Sequence, residues 1–253
     1  MKTVKIRNLV IGGGKPKVCV PMMGDEEAVL RTAEDIKKSR ADLAEWRIDT
    51  DPDWNNESHI LQTAEKLRSV LGDMPLLFTF RTREEGGSAA VSEERYRELN
   101  RTMIRSGLID LVDVEFFKTE ETVKSLIREA EAHGVRTVLS NHDFEKTPQE
   151  EEIVRRLCAM QEAGADLAKI AVMPKEEQDV IELLNATWTM KKFHPDTPVI
   201  TMSMGQRGMI SRLCGELYGS AVTFAAYEKA SAPGQMQADR LEMVLEALHE
   251  GMA

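Results

Sequence analysis

Lys169 has the most unusual neighbourhood in the chain. It lies inside Leu167-Ala168-Lys169-Ile170-Ala171-Val172, a run apolar enough to be buried. Burying an ammonium is costly, so such a lysine is either paired or gives up its charge. A desolvated amine is a nucleophile suited to imine formation with a ketone or aldehyde. The plainer alternative is a structural lysine paired with Glu45, Asp113 or Glu115. His142 stands in Ser140-Asn141-His142-Asp143, at the end of another apolar run. An imidazole titrating near ~6.5 suits proton transfer at neutral pH. Glu85 and Asp143 are the candidates to orient its ring. Arg47, Arg81, Arg83 and Arg212 follow similar runs. Guanidinium forks hold carboxylates through paired hydrogen bonds, although Glu45, Asp49 and Glu85 are available as internal partners.

These residues need a frame that gathers them. Short apolar runs occur at Val18–Val20, Leu43–Ile48, Leu76–Phe80, Leu111–Val114, Arg136–Leu139, Leu167–Val172, Pro198–Met202 and Ala221–Phe224. They read as strands covered on both faces. Between them lie amphipathic helices, such as Ile60, Ala64, Leu67 and Leu71, or Ile153, Leu157 and Met160. Asp25, Ser92 and Thr119 read as N-caps, and Gly72, Gly107, Gly134 and Gly164 fall near helix ends. Thr147 with Glu150 fits a capping box, with Pro148 at the first helical position. Eight strand–helix units of about 32 residues match the (β/α)₈ TIM barrel, whose active sites lie at the C-terminal strand ends. A doubly wound sheet is the alternative, but Gly12-Gly13-Gly14 leads into Lys15-Pro16-Lys17 and no phosphate-binding helix. Val4–Ile6 and Leu9–Ile11 read as an N-terminal hairpin, with residues 1–16 capping the barrel bottom of a single domain spanning 1–253.

The 253 residues include 33 Lys plus Arg against 43 Asp plus Glu, a net charge of −10. So acidic a chain has no general attraction to nucleic acid or to an anionic membrane. No apolar run approaches the ~20 residues of a spanning helix, and the first residues lack a secretory core, so a cytoplasmic location is expected. Cys19, Cys158 and Cys214 have no metal-ligand spacing and read as reduced core thiols.

Taken together, several segments resemble type I 3-dehydroquinate dehydratase, the imine-forming dehydratase of the shikimate pathway. They are Glu-Trp-Arg at 45–47, Leu-Leu-Phe-Thr-Phe-Arg at 76–81, Glu-Gly-Gly at 85–87, Ser-Asn-His-Asp-Phe at 140–144, Lys-Ile-Ala-Val-Met-Pro at 169–174, Ile-Ser-Arg-Leu at 210–213 and Ser-Ala-Pro-Gly-Gln at 231–235. Each alone is weak; in family order across the chain they are specific. The resemblance implies a (β/α)₈ barrel, usually a homodimer, using neither metal nor cofactor. It implies that Lys169 forms the imine with the C3 ketone of 3-dehydroquinate, that His142 moves the protons, and that Glu85 orients His142. It also implies that Arg212 binds the substrate carboxylate, and that Glu45, Arg47, Arg81, Ser231 and Gln235 contact the substrate.

Three positions depart from the family pattern: Pro21 where many members have Ser, Ala168 where proline is common, and Gln206-Arg207 in the loop before Arg212. The nearest rival is a class I aldolase, which also uses a barrel lysine. A metal-dependent barrel built on Asp49, Asp113, Glu115, His142 and Asp143 is the second, and a non-catalytic binding barrel the third.

Overall fold

The computed structural model describes residues 2–227 and 231–252. β1 (Val4–Ile6) and β2 (Leu9–Ile11) form an antiparallel hairpin at the expected positions. There follow β3 (Lys17–Met22), α1 (Glu26–Ile36), β4 (Leu43–Arg47), α2 (Glu57–Leu71), β5 (Leu76–Thr79), α3 (Glu93–Ser106), β6 (Leu111–Glu115), α4 (Glu120–Ala132), β7 (Arg136–Asp143) and α5 (Glu150–Glu162). The chain continues with β8 (Leu167–Val172), α6 (Glu177–Phe193), β9 (Val199–Ser203), α7 (Met209–Leu213), α8 (Gly215–Tyr218), β10 (Val222–Phe224) and α9 (Ala238–Met252). Strands β3 to β10 form one parallel sheet in the order β10-β3-β4-β5-β6-β7-β8-β9. The two ends meet where the Ala221 N–H donates to the Val199 carbonyl (2.8 Å) and the Thr201 N–H to Ser220 Oγ (3.0 Å). The architecture is a (β/α)₈ barrel.

The helices form for local reasons that the sequence carries. Ile60, Ala64, Leu67 and Leu71 bury one face of α2, and Ile153, Leu157 and Met160 one face of α5. Asp25, Ser92 and Thr119 accept from the N–H groups of Ala28, Arg95 and Thr122. The Thr147 capping box does not form. Helix α5 starts at Glu150 behind Gln149, and Thr147 Oγ1 is buried without a hydrogen-bond partner. The Glu150 N–H that Thr147 would have capped is satisfied instead across the barrel surface by Glu182 of α6 (3.1 Å). Of the thiols, only Cys19 is fully buried; Cys158 and Cys214 are half-buried. Burial raises the Cys214 thiol to about 11, so it stays protonated.

The barrel interior is built in layers from alternate strands, as in this fold generally. Asp42, Asp110 and Asp166 each precede a leucine that opens β4, β6 or β8. Their side chains accept from the backbone N–H of the preceding strand: Val18 (2.7 Å), Leu76 (2.9 Å) and Thr137 (2.9 Å). These contacts pin the register of neighbouring strands. Leu43, Leu111, Leu167 and Val222 then point inward, in one apolar cluster with Val4, Ile6 and Ile11 of the hairpin. Burying each leucine stabilises the fold by about 2 kcal/mol. Two residues further along the same inward faces stand Glu45, Asp113, Lys169 and Phe224.

Candidate active site

That second layer brings Lys169 between two carboxylates. Nζ lies 3.4 Å from Asp113 Oδ2 and 3.8 Å from Glu45 Oε1, with Lys169 only 4% exposed. Both carboxylates are held from behind. Thr79 Oγ1 donates to Glu45 (2.9 Å), and Ser140 Oγ donates to Asp113 (2.6 Å). The pairing foreseen with Glu45 or Asp113 therefore involves both. Glu115 instead turns to Arg81, Thr82 and Lys118.

Strand β7 is longer than its apolar stretch suggests. It runs through Asp143 because β8 continues to pair with it, His142 opposite Ala171 and Asp143 opposite Val172. Strand alternation turns His142 toward Lys169 and Asp143 away. Asp143 Oδ1 accepts from the Glu145 and Lys146 N–H groups, so it does not orient the histidine. Glu85 does: its Oε2 lies 2.9 Å from His142 Nδ1 and also accepts the His142 backbone N–H at 2.9 Å. An Oε2 that accepts the backbone N–H is placed to accept from Nδ1 as well, which assigns the ring proton to Nδ1 and the free lone pair to Nε2. Glu85 reaches this position on a 3₁₀ turn, Arg83–Glu85, closed by Gly86 and Gly87. A Cβ on Gly87 would sit 1.9 Å from the Arg81 carbonyl, so only glycine fits there.

Burial, with Arg81, Lys169 and Arg47 nearby, holds the His142 imidazole well below its ordinary 6.5. It is neutral at physiological pH and able to accept a proton. Burial raises the Glu85 carboxyl to about 7 against the pull of Arg81. Glu85 thus binds its proton more tightly in the folded than in the unfolded chain, whose carboxyl titrates near 4.5. Its cost to stability is absent below that pH, grows as pH rises through 7, and reaches about 3 kcal/mol. Glu85→Gln should therefore gain on the wild type as pH rises, with a larger difference in Tm at pH 8 than at pH 5. A difference that stays constant or shrinks would contradict this account.

Arg81 is the hub of the buried charges. Its Nη2 reaches Asp113 Oδ1 (2.7 Å), while Nη1 reaches Glu115 (3.0 Å), Ser140 Oγ (3.1 Å) and Glu85 (3.4 Å). Arg47 forms a two-bond fork with Asp49 at 2.7 and 2.9 Å. Both arginines line the cavity, but much of their hydrogen-bonding capacity is spent internally. Arg83 instead donates to the Ser88 carbonyl on the exposed surface.

Arg212 is different. It is 2% exposed, and among the described residues it has no carboxylate partner. Nη1 faces Met202 Sδ, Nη2 donates to the Pro233 carbonyl (3.2 Å), and Nε is unsatisfied. Burial lowers this guanidinium to about 10, so it remains a cation at neutral pH. A buried cation of this kind attracts an anionic ligand. Pro233 belongs to the loop carrying Ser231 and Gln235, which bond each other reciprocally at 2.8 Å. A Cβ on Gly234 would lie 2.2 Å from the Gly205 carbonyl, so the loop rests directly on the backbone after β9.

One cavity joins these parts. Glu45, Arg47, Arg81, Glu85, His142, Lys169, Ser231 and Gln235 line it; Arg212 lies behind the Pro233 loop. The lining also includes Phe144, Met202, Met204 and Phe224, which the sequence reading did not single out. Met202 and Met204 had a signal, since alternation along β9 places both on its inward face. Of the departures, Pro21 stands beside Glu45 in the sheet, Ala168 is buried on the outward face of β8, and Arg207 pairs with Glu177 at 3.2 Å. Asp51, Asp53 and His59 converge with metal-ligand spacing, but none of them lines this cavity.

Residues 18–252 match the model of the family described as Type I 3-dehydroquinase. The chain is 46% identical over 252 residues to a 3-dehydroquinate dehydratase of Clostridioides difficile, covering 99% of each. It is 51% identical over 251 residues to one of Listeria welshimeri, again covering 99% of each. A solved type I 3-dehydroquinate dehydratase from Clostridium difficile, covalently modified with comenic acid, superposes with a TM-score of 0.97 at 46% identity over 99% of both chains. The enzyme of Geobacillus kaustophilus superposes at 0.94 with 41% identity, over 98% of this chain and 97% of that one.

Proposed function

The chain belongs to the type I 3-dehydroquinase family, and on that premise we propose that Lys169, His142 and Glu85 carry out the dehydration of 3-dehydroquinate to 3-dehydroshikimate. The observation that carries this reading is the buried Lys169 amine sharing one cavity with a neutral, Glu85-oriented imidazole. The Lys169 ammonium lends one proton to the carboxylate of Asp113 or Glu45 beside it and attacks the C3 carbonyl as the amine; the carbonyl oxygen takes that proton and one more from the nitrogen and leaves as water, giving an iminium. The iminium draws electrons from C2. His142 Nε2 takes a C2 proton, the C–H pair moves toward nitrogen, and an enamine forms. The enamine pair then expels the C1 hydroxyl, which receives the proton back from His142 and leaves as water. Water adds to the remaining iminium, releasing 3-dehydroshikimate and restoring the amine. A covalent route divides one difficult elimination into easier steps, and one imidazole serving both transfers requires a syn course.

Arg212 is the group we assign to the substrate carboxylate, because it is the buried cation without a carboxylate partner among the described residues. Glu45, Arg47, Arg81, Ser231 and Gln235 then face the substrate hydroxyls. The Ser231–Gln235 loop, resting on Gly205, closes the cavity mouth. We read the chain as a single domain with residues 1–16 closing the lower end, acting as a homodimer in the cytoplasm. No helix among the described residues is long and apolar enough to cross a membrane. Light scattering on the purified protein checks the dimer.

The test is to add borohydride to enzyme and 3-dehydroquinate and to map the adduct by mass spectrometry. Reduction should fix the ligand on Lys169. If the folded enzyme turns over substrate and no adduct forms, the imine route is wrong. His142→Ala should still give the Lys169 adduct while turnover falls by about 10³-fold, the scale of a lost general acid–base group. Loss of the adduct together with turnover would place His142 in imine formation instead.

A further inference from the structure

Phe224 completes the layer that holds Glu45, Asp113 and Lys169, and it alone of the four brings no polar atom. Lys169 Nζ stands over its ring, 4.5 Å from the centroid. The ring is 4% exposed, so little water competes for the ammonium on that side. The nitrogen thus has two kinds of neighbour: the carboxylates of Asp113 and Glu45, and a π face.

Covalent chemistry affects these neighbours differently. An ammonium has three N–H donors to share between carboxylates. On imine formation two of those hydrogens leave with the carbonyl oxygen as water, and the positive charge stays on a nitrogen with one N–H. That one N–H can keep the hydrogen bond to Asp113 at 3.4 Å or turn to Glu45, 3.8 Å away, but not both. Attraction to an aromatic face needs charge and no hydrogen. We infer that Phe224 accompanies the positive charge through turnover, stabilising the iminium at position 169 over its neutral imine. This rests on the imine reading above. The other titratable and charged groups around the nitrogen are Glu45 on β4, Asp113 on β6, Cys19 on β3, Arg81 after β5 and His142 on β7. All of them stay in place when only the ring is altered.

The experiment incorporates phenylalanine with increasing fluorine content at position 224, which weakens and then reverses the ring quadrupole at nearly constant shape. With each fluorine, the alkaline limb of kcat should move to lower pH, by about one unit for the fully fluorinated ring. Borohydride reduction of the 3-dehydroquinate adduct at pH 9 should slow in the same order. Phe224→Leu, apolar and without a ring, should shift the limb the same way. A limb and a reduction rate unchanged across the series would make Phe224 an apolar filler and overturn the inference. Absence of a Lys169 adduct in the unmodified enzyme would instead remove the imine reading itself.

Discussion

Lys169→Ala is expected to abolish turnover, with kcat falling by at least ~10⁴-fold, the scale seen when a covalent nucleophile is removed. Without the amine no electron sink forms at C3, and a neutral imidazole is left to abstract a proton beside a bare ketone. The fold should survive. Asp113 keeps Arg81 and Ser140, and Glu45 keeps Thr79. Near-UV circular dichroism should therefore match the wild type while Tm drops by a few degrees. Lys169→Met, which refills more of the volume, should be equally inactive. A variant that keeps more than a tenth of wild-type kcat would rule out the covalent route.

Arg81→Ala is expected to act mainly on stability. Its guanidinium faces Asp113, Glu115 and Glu85, all nearly inaccessible to water. Removing one partner of a buried ion pair costs about 3–5 kcal/mol, and here three carboxylates lose the same cation. That is a large fraction of the about 5–15 kcal/mol that holds a typical domain together. The sign of the pH dependence follows from the groups themselves. Arg81 pulls the carboxyls of Asp113 and Glu85 down. Without it both hold their protons to higher pH, and a protonated carboxyl needs no counter-ion. The deficit should be largest at pH 8 and shrink as pH falls toward 5, read from urea unfolding at both. A loss below about 1 kcal/mol at pH 8 would show that the carboxylates rearrange or protonate without cost.

The barrel was legible in its alternating runs, and the two residues proposed to react stood out because they broke that pattern. Lys169 and His142 are polar where alternation and apolar flanks call for buried side chains. Glu85 and Asp143 both looked able to hold His142, and only the register of β7 on β8 separated them. Phe224 had no signal, since one more apolar residue in an apolar strand looks like core. Thr147 carried a good local signal that the contact of Glu150 with Glu182 overruled. Ser140 was quoted within its segment, but its hydrogen bond to Asp113 depends on two strands being neighbours. Local chemistry was readable and short-listed the partners; which of them meet across the barrel was fixed only by strand register.

The filled lower barrel has a consequence for solvent traffic. Beneath Lys169 the interior is packed with Leu43, Leu111, Leu167 and Val222, and then with Val4, Ile6 and Ile11 of the hairpin. The site is a blind well. Each cycle of the proposed reaction releases one water when the imine forms and another when the C1 hydroxyl departs, and it draws one back to hydrolyse the product. All three molecules, like the substrate, then pass at the upper end, where Pro233 and Gly234 touch the backbone of Gly205. On the proposed reading of the Ser231–Gln235 loop as the closure, those few backbone atoms meter the oxygen atoms exchanged between substrate and solvent.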